Sequence, residues 1–302
     1  MTNNKIFDVI IVGGSYAGLA AGMALGRALK EVLIMDNDQP CNRQTPYSHN
    51  FLTQDGKPPK EIAKLGEQQL AIYKTVSFFN GLAVKGIKTE KSFEIYTASG
   101  EVFRCKKVIF ATGIRDILPD ISGFSECWGI SVLHCPYCHG YEVKNKQTAV
   151  LGNGESGFEL IRLISNWTKD LTLLTNGSST LTKEQTEQLE KHHIRVVEKE
   201  IERLEHTGGY LKNIVFRDGT EVLATAMYAR NPFEQHCWIP ESLGCILTAE
   251  GYIQTDVFQE TSVPGVFTCG DNATRMRTVA NAVATGTAAG ITVSNRIIFE
   301  EF

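Results

Sequence analysis

The chain has 302 residues, of which 42% are hydrophobic and 21% are charged, and its formal net charge is −4. A chain of this length buries a large core and typically forms about two domains, which excludes the disordered and fibrous classes. The 30 Lys and Arg residues form no basic run, so neither nucleic acid nor membrane is expected as a partner. Gly13 and Gly14 interrupt the N-terminal apolar stretch, which therefore predicts neither signal peptide nor membrane span, and we expect a cytoplasmic protein.

A strand, a glycine-rich turn, a helix and a second strand follow one another near the N-terminus. The strand Val9–Val12 leads into the turn, the helix runs to about Leu29, and the strand Val32–Met35 ends at Asp36. This order is typical of a nucleotide-binding unit, in which the helix N-terminus faces a pyrophosphate and the acid binds a ribose. An ordinary turn with a surface Asp is the alternative. The turn residues predicted to bind the nucleotide are Gly13, Gly14, Ser15, Ala17 and Gly18, with Ser15 in place of the usual middle glycine.

The same order returns from Thr148, with a strand Ala149–Leu151, a helix to about Trp167 and a strand Leu171–Leu174. Its turn, Gly152–Gly157, fits the G-x-G-x-x-G pattern completely. The strand that follows ends in Thr-Asn-Gly, so it carries neither an acid for a ribose diol nor an Arg for a 2′-phosphate. The second unit therefore predicts a nucleotide-binding fold, with weak or absent nicotinamide binding as one of two alternatives.

Shorter elements connect and follow these two units. We expect a hairpin around Ser99–Gly100, a linker at Pro119–Gly123 and a second crossing near Pro240–Leu247. The remaining predicted elements are the hairpin strands Phe93–Tyr96 and Val102–Arg104, the strands Val108–Ala111 and Val266–Cys269, and a helix from about Thr278 to Ile298. The predicted fold class is α/β, with two Rossmann-like (three-layer ββα) domains, the second inserted in the first.

A Cys-x-x-Cys pair, Cys135 and Cys138, lies between two histidines. At a helix start such a pair can form a disulfide across one turn, and the helix N-terminus lowers the pKa of its thiolate. Either flanking His134 or His139 could move protons, with a packing or surface role as the alternative for His134. The eight cysteines should be mostly reduced, so we interpret this pair as a redox centre; a zinc site and two inert thiols are the alternatives. Its position between the two units predicts electron exchange with a cofactor of the first unit, which a flavin does well.

With these residues the chain resembles the low-molecular-weight thioredoxin reductase family of FAD-dependent disulfide oxidoreductases over nearly its whole length. The resemblance rests on the glycine turn with Asp36, the Ala111–Gly113 strand end, the inserted Cys-x-x-Cys and the Gly265–Asp271 segment. It implies a homodimer, with Cys138 next to the flavin and Cys135 exchanging with substrate. It also implies further FAD-binding residues, namely Asn50, Val84, Ala111, Thr112, Gly113, Gly270, Asp271, Thr278, Val279 and Ala280.

Two positions differ from that family and resemble another branch of it. His139 stands where the family has a proton-donating Asp, and Thr175–Gly177 replaces the His-Arg-Arg run that holds the NADPH 2′-phosphate. Cys-x-x-Cys-His followed by Gly-Tyr-Glu is similar to the gliotoxin-type and holomycin-type dithiol oxidases, which form disulfides in small molecules and pass electrons to oxygen. The segment Tyr47–Gly56, with His49 and Asp55, also resembles that branch. Ferredoxin-driven reductases are a third branch without the NADPH signature.

We therefore expect an FAD domain from residues 1 to about 115 and about 245 to 302, and an inserted domain from about 116 to 244 that carries the dithiol. The expected function is electron exchange between FAD and a thioredoxin-like protein or a small-molecule dithiol or disulfide, with Cys135, Cys138 and His139 catalytic. In the reverse direction, the same groups reduce a disulfide. An NADPH-independent dithiol oxidase, linked to oxygen or ferredoxin, and a flavin redox sensor without turnover are the alternatives. NADPH is an open second cofactor, and no metal is expected.

Overall fold

The computed structural model describes residues 2–302, which form two compact units. Unit 1 contains the chain up to Arg43, Asn50–Arg115 and Phe233–Phe302, and unit 2 contains Gln44–His49 and Asp116–Pro232. The chain thus returns to unit 1 earlier than the predicted residue 245. The reason is that the segment after Phe233 forms a strand and a short helix, and the helix packs into the core of unit 1 through the buried side chain of Ile239.

A seven-stranded sheet forms the centre of unit 1. Its strands are β1 (Thr2–Val12), β2 (Val32–Asp36), β3 (Val76–Asn80), β4 (Ala83–Lys88), β5 (Phe93–Thr97), β6 (Val102–Phe110) and β17 (Val266–Thr268). The order is β3-β2-β1-β6-β5-β4, and β17 pairs with β6. Strand β5 is antiparallel to β4 and β6, and the other pairs are parallel. The two strands predicted at Val102–Arg104 and Val108–Ala111 are one strand, because β6 pairs with β1 along its whole length.

The helices of unit 1 are α1 (Tyr16–Arg27), α2 (Pro59–Leu70), α7 (Ile239–Ser242) and α8 (Val279–Glu301). Alternate side chains of β1 enter two clusters, with Val9 and Ile11 packed among residues of α1 and α8 and Ile10 on the other face, as the two-residue period of a strand requires. The first helix ends before the predicted Leu29, which has a φ of 59°, and the last helix runs beyond the predicted Ile298.

Glycines let α1 and α8 approach each other closely. A Cβ added at Gly286 would lie 2.1 Å from the carbonyl oxygen of Ala17, and one at Gly290 would lie 2.6 Å from that of Ala21. Helix α8 therefore fixes the position of the first turn of α1, which follows the glycine-rich loop.

Unit 2 is built on a five-stranded parallel sheet in the order β11-β10-β9-β15-β8. These strands are β8 (Val132–Leu133), β9 (Thr148–Leu151), β10 (Leu171–Leu174), β11 (Arg195–Val197) and β15 (Ala226–Ala229). An antiparallel sheet contains β12 (Ile201–Thr207), β13 (Tyr210–Phe216) and β14 (Glu221–Leu223). The short strands β7 (Ile114–Asp116) and β16 (Phe233–Gln235) pair with each other, and all of their residues except Asp116 belong to unit 1. The helices are α3 (Phe124–Cys127), α4 (Pro136–His139), α5 (Gly154–Ile164) and α6 (Lys183–Lys191). The predicted α/β class is confirmed.

Within residues 2–302, the helices are too short or too polar to cross a membrane.

Candidate active site

The turn after β1 presents bare backbone at the start of α1. A Cβ at Gly13 would lie 2.3 Å from the carbonyl oxygen of Ala111, and one at Gly18 would lie 1.8 Å from that of Gly13. Ser15 is the N-cap of α1, and within the described part of the chain its side chain makes no capping bond. The first N–H groups of α1 are therefore suited to donate to an anionic group such as a pyrophosphate.

Asp36 ends β2 beside this turn. Its Oδ2 accepts a hydrogen bond from the backbone N–H of Gly14, and its Oδ1 accepts one from that of Asp38 at 2.5 Å. A carboxylate can accept about four hydrogen bonds, so it retains capacity for a ribose hydroxyl. The N–H of Gly81 donates to the Asp36 carbonyl at 2.7 Å. This bond holds the start of the segment from Gly81 to the half-exposed Val84 next to Asp36.

The second predicted part of this site lies at the neighbouring strand ends. Asn272 Nδ2 donates to the Phe110 carbonyl at 2.9 Å and to Thr112 Oγ1 at 3.3 Å, which ties the end of β6 to the segment after β17. Next to it, Asp271 Oδ2 lies 3.8 Å from Nε of Arg277. The structure therefore brings Ala111–Gly113 and Gly270–Asp271 together within unit 1.

The predicted FAD-binding residues at the start of α8 also form the N-terminus of this helix. Thr278 is the N-cap, and its Oγ1 accepts from the backbone N–H of Asn281 at 3.1 Å. Val279 and Ala280 form the first turn of this helix. The side chain of Ala17 is buried and packs in the core cluster shared by α1 and α8. Asn50 lies in a loop, where it adopts a φ of 60° and its backbone N–H donates to Asp55.

These residues fit an FAD. The glycine cradle excludes side chains where a pyrophosphate would approach, and Asp36 offers acceptors to a ribose at the end of the adjacent strand. Both features belong to unit 1, and they lie at the ends of the adjacent parallel strands β1 and β2.

Cys135 and Cys138 form a disulfide with Cα atoms 5.3 Å apart, which favours the redox interpretation over two inert thiols. Among residues 2–302, no three His, Cys, Asp or Glu side chains group in a way that could hold a metal ion. Pro136 begins helix α4, where its missing N–H costs nothing. Cys135 is the N-cap of this single-turn helix, and its Sγ accepts from the backbone N–H of Cys138 at 3.1 Å, while the lowering of the thiolate pKa stays a prediction.

Three titratable side chains of unit 2 meet beside the disulfide. The rings of His49 and His139 lie edge to face with centroids 6.5 Å apart, and His49 Nε2 lies 3.6 Å from Oε1 of Glu142. Burial and the proximity of His49 lower the pKa of His139 to about 4, so this imidazole is neutral at pH 7. Sequence reasoning left His49 open and missed Glu142, whose one signal was the Cys-His-Gly-Tyr-Glu motif.

This lowered pKa makes the stability of the protein depend on pH. The unfolded chain protonates His139 near its ordinary pKa of about 6.5, whereas the folded chain resists protonation until about pH 4, so the free energy of unfolding decreases as the pH falls between these values. We expect His139→Gln to reduce this decrease in urea titrations. The exposed His192 supplies the control, since His192→Gln should keep the full decrease. An identical pH dependence in all three proteins would contradict the expectation.

The second glycine turn is occupied by the chain itself. Asn153 Oδ1 accepts from the N–H groups of Gly154 and Thr180, both at 2.8 Å, and its Nδ2 donates to the Ser178 carbonyl at 2.9 Å. A Cβ at Gly154 would lie 2.8 Å from Thr180 Oγ1. The loop after β10 therefore lies against the turn, and the Asn153 side chain occupies the Gly154 N–H, one of the donors that a pyrophosphate would use.

The Thr175–Gly177 segment also bonds internally. Thr175 Oγ1 donates to the Gly177 carbonyl at 2.6 Å, and Asn176 Oδ1 accepts from the N–H of Ile201 at 2.7 Å. A cavity of about 440 Å³ lies over these strand ends, and Arg230 is the charged residue in its lining. The lining offers no acid to a ribose diol among the described residues.

A glycine turn with an acid at the end of the next strand, a second unit of the same type and a disulfide in the chain between them are features of a flavoprotein disulfide oxidoreductase. The chain matches the family described as pyridine nucleotide-disulphide oxidoreductase over residues 7–286, and it belongs to that family. The predicted thioredoxin reductase-like class and FAD as its cofactor are thereby confirmed.

Individual relatives cover almost the whole chain. The thioredoxin reductase tcpT of Claviceps purpurea (strain 20.1) is 30% identical over 309 residues, which cover 99% of this chain and 96% of that protein. The crystal structure of the oxidoreductase from Agrobacterium tumefaciens has a TM-score of 0.92 and 33% identity, covering 98% of this chain and 99% of that one. The crystal structure of HlmI has a TM-score of 0.94 and 29% identity, covering 100% of this chain and 95% of that one.

Proposed function

We propose that this protein oxidises a small dithiol with the Cys135–Cys138 disulfide and FAD, and that it does so without a nicotinamide cofactor. The single observation that carries the proposal is the second glycine turn, where the Asn153 side chain accepts from the Gly154 N–H and from the Thr180 N–H of the loop after β10. The His after the second cysteine supports the same assignment, since a dithiol substrate has protons to release. A homodimer, implied by the family resemblance, is part of the proposal, and the mass of the FAD-loaded protein in solution tests it.

The disulfide exchange balances without any other reactant. A substrate thiolate attacks Sγ of Cys135, and Cys138 leaves as a thiolate. The second substrate thiol then displaces Cys135, so that the substrate leaves as a disulfide and the enzyme holds two thiols. FAD, when bound in unit 1, would supply the acceptor for this electron pair, with dioxygen as the final acceptor that is reduced to hydrogen peroxide.

The two histidines and Glu142 provide a route for the protons. His139 is neutral while the disulfide is closed, so its imidazole can accept a proton from the incoming thiol. When Cys138 becomes a thiolate, the new negative charge favours the protonated imidazole and raises the pKa of His139. His49 lies next in line and pairs with Glu142, whose side chain is 40% exposed, so a proton can reach solvent through them.

Anaerobic titration of the FAD-loaded protein tests the proposal directly. We expect small dithiols to bleach the flavin absorbance, whereas NADPH and NADH leave it unchanged, because the strand after the second turn ends in Thr175–Gly177, with neither an acid for a ribose diol nor an Arg for a 2′-phosphate. Cys138→Ser should abolish bleaching by dithiols while FAD remains bound. Rapid and stoichiometric bleaching by NADPH would contradict the proposal.

An NADPH-fed reductase of a thioredoxin-like protein is the second candidate. The name of the Claviceps purpurea relative and the cavity of about 440 Å³ over the strand ends of unit 2 favour it. The same titration separates the two candidates, since this one requires NADPH to reduce the flavin and then a protein disulfide to reoxidise it.

FAD retention tests the cradle independently. We expect Asp36→Ala to lower the ratio of FAD to protein after gel filtration, because the variant loses both the ribose acceptor and the bond that holds the Gly14 N–H. Asp38→Asn is the matched control, since Asp38 contributes its backbone N–H to Asp36 and its side chain is exposed. An Asp36→Ala protein with a full complement of FAD would remove Asp36 from the site.

A further inference from the structure

A cavity of about 610 Å³ opens on the surface of unit 2 next to the redox segment. One wall is a single face of α5 and the turn after it, because side chains three and four positions apart lie above one another on a helix. The residues that line the cavity are Glu159, Arg162, Leu163, Asn166 and Trp167 on this wall, together with Tyr137 and Arg230.

The cavity is joined to the disulfide by aromatic contacts. Tyr137 stands between the two cysteines in the chain, is 64% exposed, and meets Trp167 edge to face with ring centroids 5.4 Å apart. A Cβ added at Gly140 would lie 2.6 Å from Nε1 of Trp167, so the indole rests on the backbone that follows α4. The carbonyl of Trp167 accepts from the N–H of Asn145 at 2.9 Å. A molecule in this cavity therefore lies beside the segment that exchanges disulfides.

The lining carries more positive than negative charge. Arg230 lies 3.7 Å from Glu159, which offsets one cation. The guanidinium of Arg162 stacks over the Phe158 ring at 5.6 Å, and no acid pairs with it within residues 2–302. Arg162 is exposed, and its planar group suits a carboxylate, which it can bind through two parallel hydrogen bonds.

We propose that this cavity selects the substrate of the disulfide exchange, and that the substrate is a small organic dithiol that carries a carboxylate. The carboxylate pairs with Arg162, and the apolar part of the molecule packs on Tyr137 and Trp167. This assignment rests on the proposed dithiol oxidation and adds the class of dithiol to it.

Dihydrolipoate and dihydrolipoamide are a matched pair of probes, because they share the dithiol and differ in a carboxylate and a neutral amide. We expect the wild-type protein to oxidise dihydrolipoate with the higher kcat/KM, by about fivefold, which is the range of a partly exposed ion pair. The preference should shrink at high salt, since ions screen exposed charges. Arg162→Gln should lower kcat/KM for dihydrolipoate to the value for dihydrolipoamide and leave the amide unaffected.

Arg195→Gln serves as the control, because Arg195 is an exposed residue of the same unit on β11 and does not line the cavity. It should leave both substrates unchanged. Equal kcat/KM for the two probes in the wild type, or an equal loss for both in Arg162→Gln, would overturn the carboxylate assignment and leave dithiol oxidation standing. Failure of both probes to bleach the flavin in the wild type would count against the proposed function itself.

Discussion

Replacement of His139 by Ala is expected to slow the reduction of the enzyme by dithiols by about 10² to 10⁴, the usual range for loss of a positioned proton-transfer group. The substrate thiol must lose its proton before its sulfur can attack the disulfide, and we propose His139, a neutral imidazole directly after Cys138, as the base. FAD should stay bound, because every residue assigned to it belongs to unit 1. Stopped-flow bleaching under anaerobic conditions measures the rate.

The neighbours of His139 supply graded controls. His49→Asn and Glu142→Gln leave the base in place but interrupt the path to solvent, so we expect losses nearer tenfold, together with a changed pH profile. His192→Ala alters an exposed His of the same unit and should have no effect. If His139→Ala bleaches at the wild-type rate at every pH, the imidazole takes no part in the reaction.

The sequence could place the glycine turn next to Asp36, which together form the proposed cradle for FAD, because these parts are local. Gly13, Gly18 and Asp36 lie within a single strand-turn-helix-strand unit, and chain connectivity alone brings the end of β2 beside the turn. The Cys-x-x-Cys pair is local in the same sense.

The proposed proton path could not be predicted as a group because its members come from distant parts of the chain. His49 joins unit 2 through the short segment Gln44–His49, although the residues on both sides of that segment fold into unit 1. No periodicity or composition marks such an excursion. The contacts of Asn153 with the loop after β10 are also non-local. The sequence shows that Thr175–Gly177 carries no charged residue, but the position of this loop against the turn depends on tertiary contacts.

The contact between α1 and α8 is also non-local, but two glycines in the sequence of α8 indicate it. Gly286 and Gly290 are four residues apart, so they share one face of α8, and each meets a backbone carbonyl of α1. The sequence predicted α8 as a helix without assigning a partner to this face. Two glycines inside a helix cost stability by themselves, so their presence indicates that a close approach is needed there.

Gly286→Ala is therefore expected to lower the free energy of unfolding by about 1 to 3 kcal/mol, even though Ala is the better helix former. The added Cβ would lie 2.1 Å from the Ala17 carbonyl oxygen, and no change of rotamer can relieve a contact between a Cβ and backbone, so the helices must move apart. That movement displaces the first turn of α1, and the ratio of FAD to protein should fall as well.

The matched control is Gly66→Ala in α2, where the new Cβ would meet the flexible tip of the Leu19 side chain at 3.1 Å. There the gain in helix propensity, about 0.5 to 1 kcal/mol, should balance or exceed the contact. Urea denaturation of the two variants, with FAD measured by absorbance, gives both quantities. A Gly286→Ala protein that is as stable as Gly66→Ala and fully loaded with FAD would show that α8 does not determine the position of the glycine cradle.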